Sequence, residues 1–483
     1  MFHRLLCATL TCFTATLLIA KDPLHQTVDL KLGESLPLTL QDGSAATVKL
    51  VDLQESFGKV WGEVYRAEVT VEINGKRGTL LSGMYNLPKR IGGVQVDCPI
   101  TKSLRNNSHI NHWQLEADAR LRIWSKGSPW INPDDFQYPV KQKWFASQTS
   151  FSNEPVAPRP RRQLYYHAGL DLGGSEGLTE VVAATDAIIV SHGDDVLPKH
   201  AKDTPVNKRY DVLYLLDERG WYYRYSHFHS FDPRRRLGER VKKGSRLGLI
   251  GKEGGSGGWT HLHFEIKSRQ PSGKWGTEEG YAFLWQSYLQ EHKPDLIAVA
   301  RPSYVVFADQ PIRFDASKSW SRHGAIKSFE WIHADGTKTT GPVSTITYPR
   351  PGTYFSTLKI TDGKGHVDYD FVRAKVFSRR NIEKQPPRMH LTYHPTFNLK
   401  PGTEITFKGR SFYFTHGEEV WDFGDGSPKV RTKSDGNVVQ RAKDGYVTVK
   451  HRYRKPGHYL VHVKRSDEDG NPAEDRLHIH IEE

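Results

Sequence analysis

Residues 260–267 read THLHFEIK, and their alternation decides how the centre of the chain folds. Side chains of an extended strand project to opposite faces in turn, so His261, His263 and Glu265 share one face while Leu262, Phe264 and Ile266 share the other. The second face is wholly apolar, which predicts a half-buried β-strand presenting two imidazoles to a cleft. Upstream, residues 165–174 read YYHAGLDLGG, and the same alternation sets His167, Gly169 and Asp171 on one face. A borderline cation such as zinc takes nitrogen and oxygen ligands at about 2.0–2.2 Å, and Gly169 leaves room for one between the imidazole and the carboxylate. Taken alone, this spacing equally fits an ordinary strand with a polar face.

Two further pieces lie between these strands. Residues 221–231, WYYRYSHFHSF, form an aromatic strand on which Tyr225, His227 and His229 are expected to share a face. Residues 241–259, VKKGSRLGLIGKEGGSGGW, carry glycines suited to tight turns that bring backbone close to a ligand. A phosphate-cradling loop would need Ser or Thr after Gly251-Lys252, and Glu253 stands there.

This ordered set resembles the catalytic domain of lysostaphin-type and LytM-type zinc endopeptidases, the family that cuts peptide cross-links of bacterial peptidoglycan. The resemblance covers 163–270 in HAGLDLGGSEG, VVAATDAIIVSHG, YRYSHF and VKKGSRLGLIGKEGGSGGWTHLHFEI. It implies a duplicated-hybrid-motif β-sheet, one zinc ion held by His167, Asp171 and His263, and catalytic roles for His227 and His261. Three protein ligands leave one tetrahedral position for water, as a catalytic rather than a closed structural site requires. Glu265 fits either a carboxylate orienting an imidazole or a plain strand-edge residue. The segment 194–211, DDVLPKHAKDTPVNKRYD, is longer than the loop usual at this place, so cleft shape and substrate preference do not transfer.

Outward from this unit (163–297) the chain reads as β throughout. Residues 21–150 hold short β-branched runs, and Asn74-Gly75 is a strong two-residue hairpin signal. Asn106, Asn107, His109 and His112 read as loop residues. The prolines and arginines of 151–162 read as a linker. Within 163–297, GYAFLWQSYLQEH places Phe283, Leu284, Tyr288 and Leu289 on one helical stripe, read as core.

After residue 298 the sequence repeats itself. PGTYFSTLKITDGKGHVDYDFVRAKV (351–376) is echoed by PGHYLVHVKRSDEDGNPAEDRLHIHI (456–481), which predicts two β-sandwiches over 298–380 and 386–483. Both resemble PKD domains, immunoglobulin-like modules of secreted bacterial hydrolases, and WDFGDGS (421–427) is close to that family's signature. The first copy has Ser321, Arg322 and His323 where the acidic loop usually stands, so the resemblance does not extend to calcium binding there. A rigid spacer and a module contacting carbohydrate or protein both fit. The fold class expected is mainly β: an N-terminal β domain, the peptidase sheet and two sandwiches.

Residues 1–20 carry Arg4 and then an apolar run to Ala20, which reads as a secretory signal peptide. Its removal takes Cys7 and Cys12, leaving Cys98 and no intramolecular disulfide. Beyond it no apolar stretch reaches the length of a membrane helix, so no transmembrane span is expected in the mature chain. Across 483 residues the net charge is +13, which suits an anionic partner, and 12 Trp, 21 Tyr and 21 Phe exclude a disordered chain. The basic residues lie outside any nucleic-acid reading motif, so nucleic acid is not expected.

The reading is a bacterial zinc endopeptidase, secreted, periplasmic or associated with the envelope, acting on peptidoglycan stem peptides or cross-bridges. Its alternatives are a catalytically silent wall-binding or hydrolase-activating protein and a zinc peptidase for non-wall proteins. Domain order adds one expectation: the N-terminal β domain covers the groove and lends a side chain to the open metal position.

Overall fold

The computed structural model describes residues 21–156, 164–437, 442 and 444–483. The signal-peptide reading of 1–20 and the second half of the expected linker, 157–162, lie outside the described residues. At the centre is a nine-stranded sheet whose main path runs Asp195–Val196, Ala187–His192, Val212–Leu216, Tyr222–Ser226, His261–Arg269, Leu170–Gly173 and Thr149–Ser150. Its apolar face carries Leu170, Leu172, Tyr223, Tyr225, Leu262, Phe264 and Ile266, packed with Phe283, Leu284, Trp285 and Tyr288 of the Tyr281–His292 helix. Full burial of each such side chain contributes about 1.5–3 kcal/mol, enough to fix which face of the sheet turns outward. The opposite face carries Asp171, Ser226, His263 and Glu265 beside a smaller apolar cluster of Val190, Val212, Tyr214 and Tyr222.

The aromatic strand departs from simple alternation. It ends at Ser226, His227 takes φ +72°, and Phe228–Phe231 joins a second, three-stranded sheet with Arg246–Ile250 and Glu180–Val182. The left-handed residue breaks the two-residue period, so Tyr225, His227 and His229 do not share a face. Tyr225 is buried in the core and half of the His229 side chain is exposed.

The N-terminal domain packs two four-stranded sheets over Val28, Leu30, Val48, Leu50, Val69, Val71, Val96, Leu121 and Ile123. Its Val64–Ile73 and Lys76–Leu81 strands join through Asn74 (φ +49°) and Gly75 (φ +73°), the two positive angles of a type I′ turn. The domain does not stop being part of the molecule's centre where the sequence changes character. Ile131, Phe136, Tyr138, Val140, Trp144 and Phe151 lie in the peptidase core, and Thr149–Ser150 pairs with Leu170–Gly173. The expected boundary near 150 and the linker reading of 151–156 therefore differ from the structure: Phe151 to Glu154 are buried. Among the described residues Pro155–Val156 pairs with Tyr165–Tyr166, and Phe151 packs in the core, so this stretch is held at both ends.

Both repeats fold as hairpins, Gly352–Asp362 with Val367–Phe377 and Gly457–Ser466 with Pro472–Ile481. The repeated Pro-Gly-x-Tyr has a physical meaning. The hydroxyl of Tyr354 donates to the Arg350 carbonyl at 3.0 Å and that of Tyr459 to the Lys455 carbonyl at 2.9 Å, fastening each strand's entry. The sandwiches keep separate cores around Trp331 and Trp421. They meet edge to edge, with Thr353 paired in parallel to Ala473 and the Phe355 N–H donating to Glu474 Oε1 at 2.8 Å. Among the described residues no helix is long and apolar enough to cross a membrane.

Arg122 fastens the N-terminal domain to the peptidase sheet. Its buried guanidinium bonds Asp97 Oδ1 at 3.0 Å, Glu278 Oε1 at 2.6 Å and the Glu279 carbonyl at 2.6 Å. Removing one partner of a buried network leaves the others uncompensated, so Arg122→Ala is expected to destabilise the chain by about 3–5 kcal/mol. Denaturant unfolding checks this, and a loss well below about 1 kcal/mol would contradict the anchoring role.

Candidate active site

Asp171 lies directly opposite His263 in the antiparallel ladder of Leu170–Gly173 with His261–Arg269, and Gly173 lies opposite His261. Ser226 of the neighbouring strand pairs with His263 from the other side. This register brings donor atoms from separate segments together. His263 Nδ1 is 2.8 Å from Asp171 Oδ1, His167 Nε2 is 3.1 Å from the same oxygen, and the two ring nitrogens are 3.1 Å apart. His167 reaches the cluster because the chain turns at Gly169, whose φ is +104°. A Cβ there would stand 2.9 Å from the Phe264 carbonyl and 3.3 Å from the His263 ring, so the position needs glycine. The backbone of His167 is held by the supposed linker: its N–H donates to the Glu154 carbonyl at 3.0 Å, and its carbonyl accepts from Asn153 at 2.9 Å.

His227 and His261 stand beside this cluster with ring centroids 4.6 Å apart. The Nδ1 of His227 donates to the Glu253 carbonyl at 2.6 Å, and the Nδ1 of His261 to the Trp259 carbonyl at 3.1 Å. Both acceptors belong to the glycine-rich loop. A proton fixed on Nδ1 leaves Nε2 as the lone-pair nitrogen of each neutral ring. His261 Nε2 is 3.5 Å from Asp171 Oδ2. Its ring also stacks on Trp259, with centroids 3.9 Å apart.

Burial pushes the pKa of His227 down and that of His261 well down, which favours the neutral rings. Asp171 lies well below the usual carboxylate range; burial opposes this, and the surrounding imidazoles outweigh it. For Asp211 too burial acts upward, and hydrogen bonds from His227 and Arg209 hold it low. Asp211 Oδ2 accepts the backbone N–H of His227 at 3.0 Å and the Arg209 Nη2 at 2.7 Å, and it stabilises the left-handed backbone there.

Glu265 lies behind the cluster, with Oε2 3.8 Å from His263 Nε2 and Oε1 bound by Lys267 at 2.6 Å and Thr277 at 2.9 Å. Thr277 in turn donates its N–H to the carbonyl of His112 at 3.0 Å, which brings the N-terminal domain against the site. Burial pushes His112 down to about 4, and its ring is within electrostatic reach of Glu265, Lys267, His167 and His263.

The glycine-rich loop is clamped from the C-terminal side. Tyr446 of the second sandwich accepts the Thr260 N–H on its hydroxyl at 2.9 Å and contacts His390 Nδ1 at 2.8 Å. Arg410 donates to the Gly258 carbonyl at 2.6 Å, Arg388 to that of Gly257 at 3.3 Å, and His390 meets the edge of Trp259. The five residues singled out from the sequence thus lie together. Asp211, Trp259, His112, His390 and Tyr446 were not singled out for the site. Asp211 ends the unusually long loop and Trp259 precedes the histidine strand, so both carried a faint signal; Tyr446 carried none.

Residues 165–274 match the family model for peptidase family M23, and 293–376 and 390–480 match models for the PKD domain. The central unit is a peptidase family M23 domain. Two PKD domains follow it along the chain. An 86-residue stretch is 30% identical to Collagenase ColA of Clostridium perfringens, covering 18% of this chain and 8% of that protein. Among solved structures, lysostaphin from Staphylococcus simulans is 12% identical, with 68% of this chain and 87% of that one covered at a TM-score of 0.23. A putative M23 peptidase from Pseudomonas aeruginosa is 16% identical, with 55% and 96% covered at 0.19.

Tyr446→Phe removes the acceptor of the Thr260 N–H. The loss of about 1 kcal/mol expected for one such bond predicts roughly fivefold faster hydrogen exchange at that amide in the full chain. Unchanged exchange across 254–260 would contradict the clamp.

Proposed function

We propose that the M23 domain is a zinc-dependent endopeptidase that hydrolyses peptide bonds in peptidoglycan stem peptides or cross-bridges, exported to or beyond the envelope of a bacterium. The observation that carries this reading is the convergence of His167 Nε2, His263 Nδ1 and an Asp171 oxygen within 3.1 Å of one another. Ligands about 2.0–2.2 Å from a tetrahedral ion stand roughly 3.3–3.6 Å apart, so the donor set fits after a small outward adjustment. His167, Asp171 and His263 would hold the ion. When bound, zinc supplies a water acidified toward neutral pH and polarises the scissile carbonyl.

The protein's own groups supply the remainder. His227 and His261 present Nε2 to the cleft, where a neutral imidazole accepts a proton from the attacking water and, once protonated, returns it to the leaving amine. In protonated form either ring also donates to the oxyanion. Glu265 positions His263 through its Nε2 side, leaving Nδ1 for the metal. The net charge of +13 favours approach to an anionic wall, and the PKD domains offer further surface for carbohydrate or protein.

Purified sacculi and metal analysis test this reading. The mature chain should release soluble muropeptides in a chelator-sensitive manner, and His263→Ala should lose at least about 10³-fold of that rate. Intact sacculi with cleavage of glycine-rich proteins would move the substrate outside the wall.

A second reading concerns latency, supported by Asn111 and His112. Asn111 Oδ1 is buried without a hydrogen-bond partner among the described residues, and His112 abuts the cluster as described above. Truncation near Arg161 is a poor test, because it would also remove Thr149–Ser150 and the backbone support of His167. Asn111→Ala with His112→Ala should instead raise the rate of muropeptide release several-fold, and an unchanged or lower rate would remove latency from the account.

A further inference from the structure

Asp295, His323 and His366 form a second cluster at the start of the first PKD domain, with donor atoms within 4.8 Å of one another. His323 Nε2 is 2.7 Å from Asp295 Oδ1, and His366 Nε2 is 3.7 Å from Asp295 Oδ2, so the carboxylate lies between two imidazoles. The rings stack at 5.1 Å between centroids.

Each ligand is held by backbone. Leu296 and Ile297 pair with Ser321 and Trp320, and the Arg322 N–H donates to the Asp295 carbonyl at 2.9 Å, locking Asp295 beside His323. His366 lies in the turn after the Gly352–Asp362 strand, where the Asp362 N–H donates to its carbonyl at 3.1 Å.

The tautomer of His366 is also set. Its Nδ1 is 2.8 Å from Asp362 Oδ2, and that buried carboxylate accepts the backbone N–H groups of Lys364 and His366 as well. The Nδ1 proton therefore points to Asp362 and the Nε2 lone pair points toward Asp295. A carboxylate behind a histidine whose other nitrogen faces a cluster of donors is the arrangement that orients metal-binding imidazoles.

We propose that Asp295, His323 and His366 bind a divalent first-row transition cation such as zinc, with Asp362 positioning His366. Nitrogen donors suit such an ion rather than calcium, which prefers oxygen throughout. His323 stands where the PKD resemblance leads one to expect acids, and the substitution changes the class of cation rather than abolishing the site. The bound ion ties the entry segment of the first PKD domain at Asp295 to that domain's turns at His323 and His366.

Equilibrium dialysis of the full-length protein against zinc, followed by metal analysis, tests it. Two equivalents per chain are expected; His323→Ala and His366→Ala should each bind one fewer while still cleaving peptide, and Asp362→Asn should weaken the second equivalent about 10–100-fold. An unchanged denaturant midpoint, measured without metal, shows that these surface variants are folded. His263→Ala should also lose one equivalent, and His263→Ala with His323→Ala should lose both. If His323→Ala and His366→Ala hold as much zinc as the unaltered chain, the second site is refuted. A full complement in His263→Ala alone would count against the catalytic cluster instead.

Discussion

The antiparallel register that sets Asp171 opposite His263 is the constraint on which the rest of the site depends. Side chains of a strand alternate with a period of two, so a slip of one residue would turn His261, His263 and Glu265 into the core and Leu262, Phe264 and Ile266 into the cleft. The core face is filled by aromatic and branched residues against the Tyr281–His292 helix, and a slip would forfeit several such burials at once. Packing energy on one face thereby fixes donor geometry on the other. The glycine at 169 completes the arrangement by letting His167 turn in over the same carboxylate.

The second constraint is the loop from Gly251 to Thr260. Its carbonyl oxygens at Glu253 and Trp259 hold the Nδ1 protons of His227 and His261, so the tautomers of both rings depend on where this backbone lies. Glycines give the loop its reach but do not make it rigid. Rigidity comes from outside it, through Tyr446, Arg410 and Arg388 of the second PKD domain. That domain is part of the wall of the site, a tighter relation than a spacer would have.

Much of this was legible in the sequence where a local period carried it. THLHFEIK and the Pro-Gly-x-Tyr repeats give their strands directly, and Asn74-Gly75 gives its turn, because alternation and positive φ are properties of neighbouring residues. Of the five residues singled out for the site, Asp171, His261 and His263 sit on strands with an apolar back, while His167 and His227 reach it from turns beside their strands. Two kinds of feature escaped. At His227 the left-handed backbone, stabilised by the distant Asp211, breaks the period and sends His229 elsewhere. At 151–156 and at Tyr446 the decisive contacts join residues far apart in the chain, and no local pattern encodes them.

Diffraction at the zinc absorption edge, from crystals of the mature chain grown with zinc, tests the central claim most directly. The account predicts an anomalous peak coordinated by Nε2 of His167, a carboxylate oxygen of Asp171 and Nδ1 of His263, with the rings of His227 and His261 facing the remaining position. A protein that cleaves sacculi yet shows no peak among those three residues would contradict it.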